Sequence, residues 1–461
     1  MTIAARPAVT APRTSAAHRV AVVGGGASGV LTAINLLARI DAPLEVVVHE
    51  TSGIVGRGIA YGTNDQRHLL NVRAQHMSAL PDTPSDLLDW ALRTGRSDDP
   101  QGFLPRADYA IYLQDRLMDV ADDRLRIQAG RVLDLVPGED GFTVVTERTR
   151  SVADSVVLCL GNQPPAPLTV ADEPLTEAPW HLANPWDLGR LRTLPSDARV
   201  VIVGTGLTAV DTAITLLEEG PRRHVTMLSR HGLLPRPHRG QQHTAWVTKV
   251  PDGPLTADVL VDAVRSELAA ARRQGVDWRA VVDGLRPITQ DIWRRLPLEE
   301  RRRFLSTYAR EWEVRRHRMA PEVALRLEGY RLDGRLSVRA GTLHAVTSLG
   351  DRAAVVTAPA GPSYEVDAVV NCTGPRTDLR ETTDPLLRSL HARGLATPDP
   401  LALGLDTTPD GLLVGADGSP VDGLFTVGPA RKGTLWEATA IPEIRGQAAQ
   451  VATVVAARAL R

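Results

Sequence analysis

Three glycines near the start of the chain have the spacing of a phosphate-binding loop. Gly24, Gly26 and Gly29 fit GxGxxG, between a short apolar strand pattern and an apolar helical run. In such a loop the first glycine permits the tight turn, the second lets the backbone approach a pyrophosphate, and the third allows close helix packing. The helix N-terminus then faces the negative charge. The pattern predicts a dinucleotide site.

An acidic residue follows this loop at the position of a ribose ligand. Residues 44–49 have a second strand pattern that ends at Glu50, 21 positions after Gly29. Its carboxylate can accept hydrogen bonds from both ribose hydroxyls and would repel a 2′-phosphate, so FAD or NAD is expected here. We assign further residues to this first site: Ala27, Ser28, Arg57, Val132, Gly161, Gly428 and Trp436.

A second loop of the same kind begins near residue 200. Gly204 and Gly206 belong to a GxGxxA pattern that includes Leu207 and Thr208 and opens another helix. The next strand pattern ends at Ser229 and Arg230, where the first site has its glutamate. A hydroxyl and a guanidinium suit a 2′-phosphate, so NADPH is favoured over NADH, although a solvated surface arginine is the alternative.

Two dinucleotide sites of different chemistry predict a flavin paired with its nicotinamide reductant. The fold class is therefore α/β with two Rossmann-like domains. We predict a discontinuous FAD domain, 18–195 and 365–461, and an NADP domain, 196–364, with a helical insertion at about 236–335. Two apolar strands that end in Cys159-Leu160-Gly161 and Cys372-Thr373-Gly374 are expected where the chain crosses between domains.

Composition excludes several classes of function. The 53 basic and 54 acidic residues nearly cancel, which argues against nucleic acid or an anionic membrane as a partner. Two widely separated cysteines form no CxxC, so neither a dithiol redox centre nor a thiolate metal site is expected, and no metal is assigned. Residues 1–17 are predicted to be disordered, and the absence of a signal peptide or spanning segment favours a cytoplasmic protein.

The assembled motifs resemble a bacterial group of FAD/NAD(P)-binding proteins related to class B flavin monooxygenases. The resemblance rests on VAVVGGGASGV, GRGIAYG around Gly58, HLLNVRAQHMS around Asn71, VGTGLTAVD ending at Asp211, SRHGLLPRPHR from Ser229, and WEATAIPEIRGQA from Trp436. It implies FAD plus NADPH. Its better-understood relatives include enzymes that oxidise the amine of aspartate to give nitrosuccinate, which implies N-oxygenation here.

The leading hypothesis is a monooxygenase that uses NADPH, FAD and O₂ to hydroxylate a small nucleophile, such as an amine or amino acid, through a flavin C4a-hydroperoxide. Asn71 and Gln75 are the catalytic candidates, because their segment follows the second strand of the FAD domain. One alternative is an NADPH-dependent reductase that passes electrons to a quinone or a protein. The other is a flavin redox sensor without catalysis.

The predicted helical insertion is rich in arginine and tryptophan. Arg316 and Arg318 are candidates for holding an anionic substrate, although solvated arginines on a helix face are the commoner case. Neighbouring glutamates cancel the basic run, so it does not indicate a nucleic-acid footprint.

Overall fold

The computed structural model describes residues 17–170, 173–175, 177–240, 243–358 and 363–460. Apart from Ala17, the start that was predicted to be disordered lies outside these residues. The α/β class with parallel sheets is confirmed. No described helix combines the length and the apolar character needed to cross a membrane.

The described residues form nineteen strands: β1 His18–Val23, β2 Leu44–Glu50, β3 Leu125–Ala129, β4 Val132–Gly138, β5 Gly141–Thr146, β6 Arg150–Ala153, β7 Ser155–Leu158, β8 Thr169–Val170, β9 Glu173–Pro174, β10 His181–Leu182, β11 Arg199–Val203, β12 His224–Ser229, β13 Leu336–Ala340, β14 Thr342–Ser348, β15 Ala353–Ala358, β16 Tyr364–Val366, β17 Ala368–Asn371, β18 Leu412–Val414 and β19 Pro420–Thr426.

The α-helices of the same residues are α1 Ala27–Arg39, α2 Gly58–Tyr61, α3 Asp86–Arg93, α4 Arg106–Val120, α5 Leu188–Thr193, α6 Leu207–Glu219, α7 Ala257–Arg273, α8 Trp278–Leu285, α9 Thr289–Arg295, α10 Leu298–Thr307, α11 Ala309–Arg316, α12 Pro321–Leu332, α13 Pro385–Ala392, α14 Lys432–Leu435 and α15 Ile441–Ala459.

Two parallel sheets share one strand order. The first runs β18-β19-β7-β1-β2-β3, parallel except for the β18–β19 pair, and the second runs β10-β17-β11-β12-β13. In each sheet the strand before the glycine loop, β1 or β11, lies between its successor and a strand from much later in the chain. The strand order reverses beside that central strand, which is where open α/β sheets bind their ligands.

Two strands lie in a different domain from the one predicted. Residues 18–195 and 365–461 were assigned to the first domain, yet β17 pairs with β11 in the second sheet, and β10 pairs with β17 at the edge of the same sheet. The reason is that each loop needs a returning strand of its own: β7 leads to Cys159 beside the first loop, and β17 leads to Cys372 beside the second. As predicted, the chain crosses between domains after each segment: β7 of the first sheet is followed by β10 and β11 of the second, and β17 of the second sheet is followed by β18 and β19 of the first.

The insertion between β12 and β13 is helical. Six helices, α7 to α12, occupy residues 257–332, inside the predicted limits of 236–335. An ion pair between Arg286 and Glu443, 2.7 Å apart, joins the insertion to the first turn of α15. The insertion therefore packs over the C-terminal part of the first domain.

A buried carboxylate connects the two sheets. Asp65, before α3, accepts hydrogen bonds from Arg67 Nε at 2.7 Å and from Thr215 Oγ1 on α6 at 2.9 Å. Arg67 also donates to Glu219 at 2.6 Å, and His68 Nε2 donates to Thr215 Oγ1 at 2.8 Å. Burial opposes ionisation, but the Arg67 guanidinium and backbone N–H, with His68 and Thr215, hold the pKa of Asp65 well below its usual value.

Asp65→Asn should destabilise the protein at neutral pH but not in acid. Because the folded-state pKa of Asp65 lies below its unfolded value, the carboxylate contributes stability above about pH 4 that is lost as the pH falls further. We expect urea unfolding at pH 7 to show a free energy of unfolding lower by about 2 kcal/mol. Below about pH 4, the free energy of unfolding of Asp65→Asn should change less with pH than that of the unsubstituted protein. Asp82→Asn, at an exposed ion pair with Arg39, is the control, and equal losses in both variants would contradict this role.

Candidate cofactor sites

The first glycine loop is shaped by close backbone approaches. Gly24 has a φ of +104°, and a β-carbon there would overlap the carbonyl oxygen of Cys159. A β-carbon at Gly29 would overlap the carbonyl oxygen of Gly24. At Gly26, by contrast, the nearest atom is Gly58 Cα at 3.4 Å, so the protein itself leaves room. The space beside Gly26 is available to a ligand.

Glu50 is oriented by the loop. Its Oε2 accepts from the Gly25 backbone N–H at 2.9 Å, and its Oε1 accepts from the backbone N–H and hydroxyl of Ser52, each at 3.2 Å. The carboxylate is therefore fixed at the end of β2, on the wall of a cavity of about 420 Å³. This cavity, which we call the first cavity, follows the carboxyl edge of the first sheet.

Most of the predicted first-site residues line the first cavity. They are Gly24, Gly26, Ala27, Ser28, Glu50, Arg57, Val132 and Gly161. Gly428 lies against Ser28: its φ is +102°, and a β-carbon there would come within 2.7 Å of the Ser28 hydroxyl. Gly29 faces the loop backbone instead of the cavity.

Two polar side chains that were not predicted also belong to this region. His49 lines the first cavity and is buried, and neither of its ring nitrogens has a hydrogen-bond partner among the described residues. Burial lowers the pKa of His49 to about 4, so the ring is neutral near pH 7. Gln447 Oε1 accepts from the Gly428 N–H at 2.8 Å, while its Nε2 is buried and without a partner in the described chain.

The first cavity fits FAD. It offers a ribose ligand at Glu50, space for a pyrophosphate beside Gly26 and the N-terminus of α1, and an unpartnered polar ring at His49. Thr439 and Ile441, at the start of α15, form its other end. A helix N-terminus there can stabilise negative charge on a reduced flavin ring.

Trp436 lies outside the first cavity. Its ring stacks on Trp293 of α9, with ring centroids 4.9 Å apart, and lines a separate cavity in the helical insertion. The prediction assigned Trp436, the first residue of the WEATAIPEIRGQA segment, to the cofactor. The turn before α15 directs the ring toward the insertion instead.

The second loop repeats the geometry of the first. Gly204 has a φ of +120°, and a β-carbon there would overlap the carbonyl oxygen of Cys372. Nothing lies within 4 Å of the β-carbon position at Gly206. Leu207 begins α6, whose N-terminus faces the open side of the loop.

The end of β12 carries hydroxyls and cations in place of a carboxylate. Ser229 Oγ lies 2.8 Å from Thr205 Oγ1 and accepts from the Gly232 N–H at 3.1 Å. Arg230 is exposed beside them. Arg310 of α11, which was not predicted, donates to Thr205 Oγ1 at 3.0 Å, and burial together with the nearby Arg230 charge lowers the pKa of Arg310.

A second cavity of about 500 Å³ lies between the two domains. The second domain contributes Thr208 and Asp211 of α6, and the first contributes Arg106, which pairs with Asp211 at 3.0 Å. We call this the interdomain cavity. Residues 57–60 line both the first cavity and the interdomain cavity, so one short segment separates the two spaces.

The catalytic candidates lie under the insertion. The Asn71 carbonyl accepts from His238 Nε2 at 3.0 Å, and Gln75 Nε2 lies 3.2 Å from His76 Nε2. Burial lowers the pKa of His238 to about 3. Neither Asn71 nor Gln75 is among the residues that line the first cavity, the interdomain cavity or the cavity in the insertion beside Trp436, so a role in catalysis stays a prediction.

The two arginines predicted to hold a substrate are buried in ion pairs. Arg316 is 5% exposed and lies 3.2 Å from Glu437 and 3.4 Å from Glu443. Arg318 is 3% exposed and pairs with Asp283. Arg316 therefore joins the insertion to the segment around α15, and its Nε has no partner among the described residues. Arg318 has two such nitrogens, Nε and Nη1.

Both cysteines are buried small side chains. The sulfur atoms of Cys159 and Cys372 lie 3.6 and 3.5 Å from the hydroxyls of Thr32 and Thr212. Burial raises the pKa of each thiol to about 12, so neither is a thiolate near pH 7.

Comparison with known proteins agrees with this arrangement. Residues 21–163, which contain the first loop, Glu50 and Gly161, match the family model described as FAD-NAD(P)-binding. The predicted resemblance to FAD/NAD(P)-binding proteins is confirmed. This match supports FAD and a nicotinamide dinucleotide as the cofactors.

Two curated relatives are similar to part of the chain. Monooxygenase ptmN of Penicillium ochrochloron and monooxygenase PC-14 of Penicillium crustosum are each 28% identical over 232 residues, 48% of this chain. The matched region spans 36% and 37% of those relatives.

Solved structures share the whole fold. An ornithine N-hydroxylase from Kutzneria sp. 744 has a TM-score of 0.65 and 16% identity, covering 96% of this chain and 99% of its own. L-lysine 6-monooxygenase from Pseudomonas syringae gives a TM-score of 0.60 and 16% identity, covering 96% of this chain and 100% of its own. At this identity the likeness concerns the fold alone.

Gly26→Val should remove FAD without unfolding the protein. The β-carbon position has only Gly58 Cα nearby, so the larger side chain occupies ligand space rather than protein space. We expect a folded protein that purifies colourless, as measured by flavin absorbance and circular dichroism. Gly206→Val is the matched control in the second loop and should purify yellow. A yellow Gly26→Val protein would contradict the assignment of FAD to the first loop.

Proposed function

We propose that this chain is an FAD- and NADPH-dependent monooxygenase that hydroxylates the nitrogen of a small amine or amino acid. The observation that carries the proposal is the segment 57–60, which lines both the first cavity and the interdomain cavity. A cofactor in each cavity would meet over this segment, as hydride transfer between them requires. Arg57 would approach both cofactors.

Bound FAD would supply the redox chemistry, by accepting hydride from NADPH and activating O₂ for transfer to the substrate. The chain's own contribution is to hold the reactants and exclude water. Glu50 and the first loop orient one dinucleotide, and Thr208 on α6 faces the other. The insertion is held against the segment that leads to α15, where Gln290 Nε2 donates to the Glu437 carbonyl at 2.8 Å.

The buried thiols support oxygen chemistry over a dithiol relay. Both cysteines are free, buried and engaged with threonines of different domains, so the protein lacks a disulfide through which to pass electrons. The likeness in fold to an ornithine N-hydroxylase and an L-lysine 6-monooxygenase supports an amine as substrate. O₂ and a small molecule are thus the proposed partners.

The preference for NADPH rests on the cations at the second loop. Arg230 and Arg310 lie beside the hydroxyls of Ser229 and Thr205, and a 2′-phosphate would relieve the repulsion between the two guanidinium groups. Glu50 occupies the corresponding place in the first loop.

Arg230→Ala should weaken NADPH use selectively. Losing one charge-assisted phosphate contact is expected to raise the KM for NADPH by about tenfold and to leave the KM for NADH nearly unchanged. Steady-state NAD(P)H oxidation measures both constants. Arg302→Ala, an exposed arginine of α10 paired with Glu299, is the control. Equal effects of Arg230→Ala on both nucleotides would show that the second site does not read the 2′-phosphate.

The proposed activity is tested by product balance. The FAD-loaded protein would be supplied with NADPH, ¹⁸O₂ and a panel of amines and amino acids, and hydroxylated product and H₂O₂ would be quantified against NADPH consumed. At least one substrate should divert electrons from H₂O₂ into a product that carries ¹⁸O. If every substrate leaves H₂O₂ as the only product while a quinone accelerates NADPH oxidation, the protein is a reductase. Failure of NADPH to reduce the flavin would favour a sensor.

A further inference from the structure

The helical insertion contains a cavity that the cofactors do not explain. It measures about 550 Å³ and lies between α7, α9, α10 and α11, with Trp436 closing one end. We call it the aromatic cavity. Small-molecule sites in proteins usually occupy 300–1,000 Å³. Leu260, Val264 and Leu268 place one face of α7 along this cavity, at the spacing of successive helical turns.

Aromatic rings form the base of the aromatic cavity. The rings of Trp293 and Trp436 stack with an interplanar angle of 22°, and Phe304 meets Trp436 edge-on at 5.5 Å. Lys432 Nζ lies 4.8 Å from the centre of the Trp436 ring. Trp436 has a φ of +61°, a conformation that side-chain-bearing residues seldom adopt. Its surroundings hold the indole in place despite this backbone strain, as is common at functional sites.

The polar groups along the wall already bond within the protein. Tyr308 donates to Asp258 at 2.6 Å, and Thr289 donates to the Leu285 carbonyl at 2.8 Å. The Trp293 indole N–H donates to the Gly433 carbonyl at 2.7 Å. At the rim, Arg315 pairs with Glu311 and Arg265 with Asp262. A charged or strongly polar ligand would lose its hydration here without gaining new hydrogen bonds.

The shape of the cavity favours a small molecule over a protein surface. Its deepest residues, Trp293, Leu296 and Leu285, are at most 3% exposed. The outward face of α7 around the opening is charged, with Asp262 and Arg265 both largely exposed. The apolar surface therefore lies at the bottom of a concavity instead of forming a flat face that a second copy could cover.

We propose that the aromatic cavity binds an uncharged, ring-bearing apolar small molecule, which stacks against the Trp293–Trp436 wall. This site is separate from the first and interdomain cavities, and its occupation does not depend on whether the protein transfers oxygen. Trp436 stands three residues before Thr439, which lines the first cavity, so a ligand would contact the segment that ends at the flavin site.

Calorimetric titration of the FAD-loaded protein with 2-naphthol tests the proposal. We expect one molecule bound per chain, with a dissociation constant at least about tenfold lower than that of 2-naphthoate, which has the same rings and a charge. Val264→Trp would fill the cavity and should weaken 2-naphthol binding at least about tenfold. Leu268→Glu places a charge on the same wall and should also weaken 2-naphthol binding. It serves as the test if Val264→Trp folds poorly.

Leu325→Trp is the matched control, because Leu325 is 73% exposed on α12 and far from this wall. It should bind 2-naphthol like the unsubstituted protein. The proposal fails if 2-naphthol does not bind, if the charged probe binds equally well, or if neither wall variant changes the affinity. It also fails if sedimentation shows a dimer that Val264→Trp dissociates, since the occupant would then be a second copy.

Discussion

The buried Asp65 carboxylate determines how the two sheets of this protein face each other. It belongs to the first domain, yet Thr215 of α6 donates to it, and its partner Arg67 extends to Glu219 at the end of the same helix. Because α6 begins at the second glycine loop, these bonds fix that loop relative to the first domain. Together with the Arg106–Asp211 ion pair, this attachment holds α6 beside the interdomain cavity and its wall at residues 57–60.

In both sheets the glycine loop packs against the returning strand in the same way. A glycine directly after the central strand brings the backbone against a carbonyl oxygen at the end of the returning strand, of Cys159 in one sheet and of Cys372 in the other. The small side chains of those cysteines suit a crowded edge, and each sulfur meets a threonine of the following helix. The two sites differ in charge at the end of the next strand, where the first site has Glu50 and the second has Ser229 and Arg230.

Local signals were sufficient for the fold and for most of the first site, because glycine loops, strand ends and helix starts are encoded within about 30 residues. Local signals were not sufficient to predict which strands pair when they are far apart in the sequence. β17 was placed in the wrong sheet, since an apolar strand does not encode its neighbours. His49, Gln447 and Arg310 were missed for a related reason: their roles depend on burial and on contacts between distant elements.

Arg316 of the insertion, and Trp436, which packs against the insertion, were the least predictable. The charge pattern that suggested a substrate contact for Arg316 is the same pattern that produces a buried ion pair, and only the positions of Glu437 and Glu443 decide between them. Trp436 was misplaced because sequence does not show which way a turn directs a ring. The contacts between the insertion and the first domain are thus the part least encoded locally.

The discontinuous first sheet also constrains the order of events during synthesis. β19 lies beside β7, and α15 packs on α1, so the first domain lacks a sheet neighbour and a covering helix until residues 420–460 have left the ribosome. Gly428 and Thr439, which complete the flavin end, arrive in that same interval. The second domain and the insertion are made earlier. The flavin end of the first cavity is therefore complete only after the segment 420–460 has been synthesised.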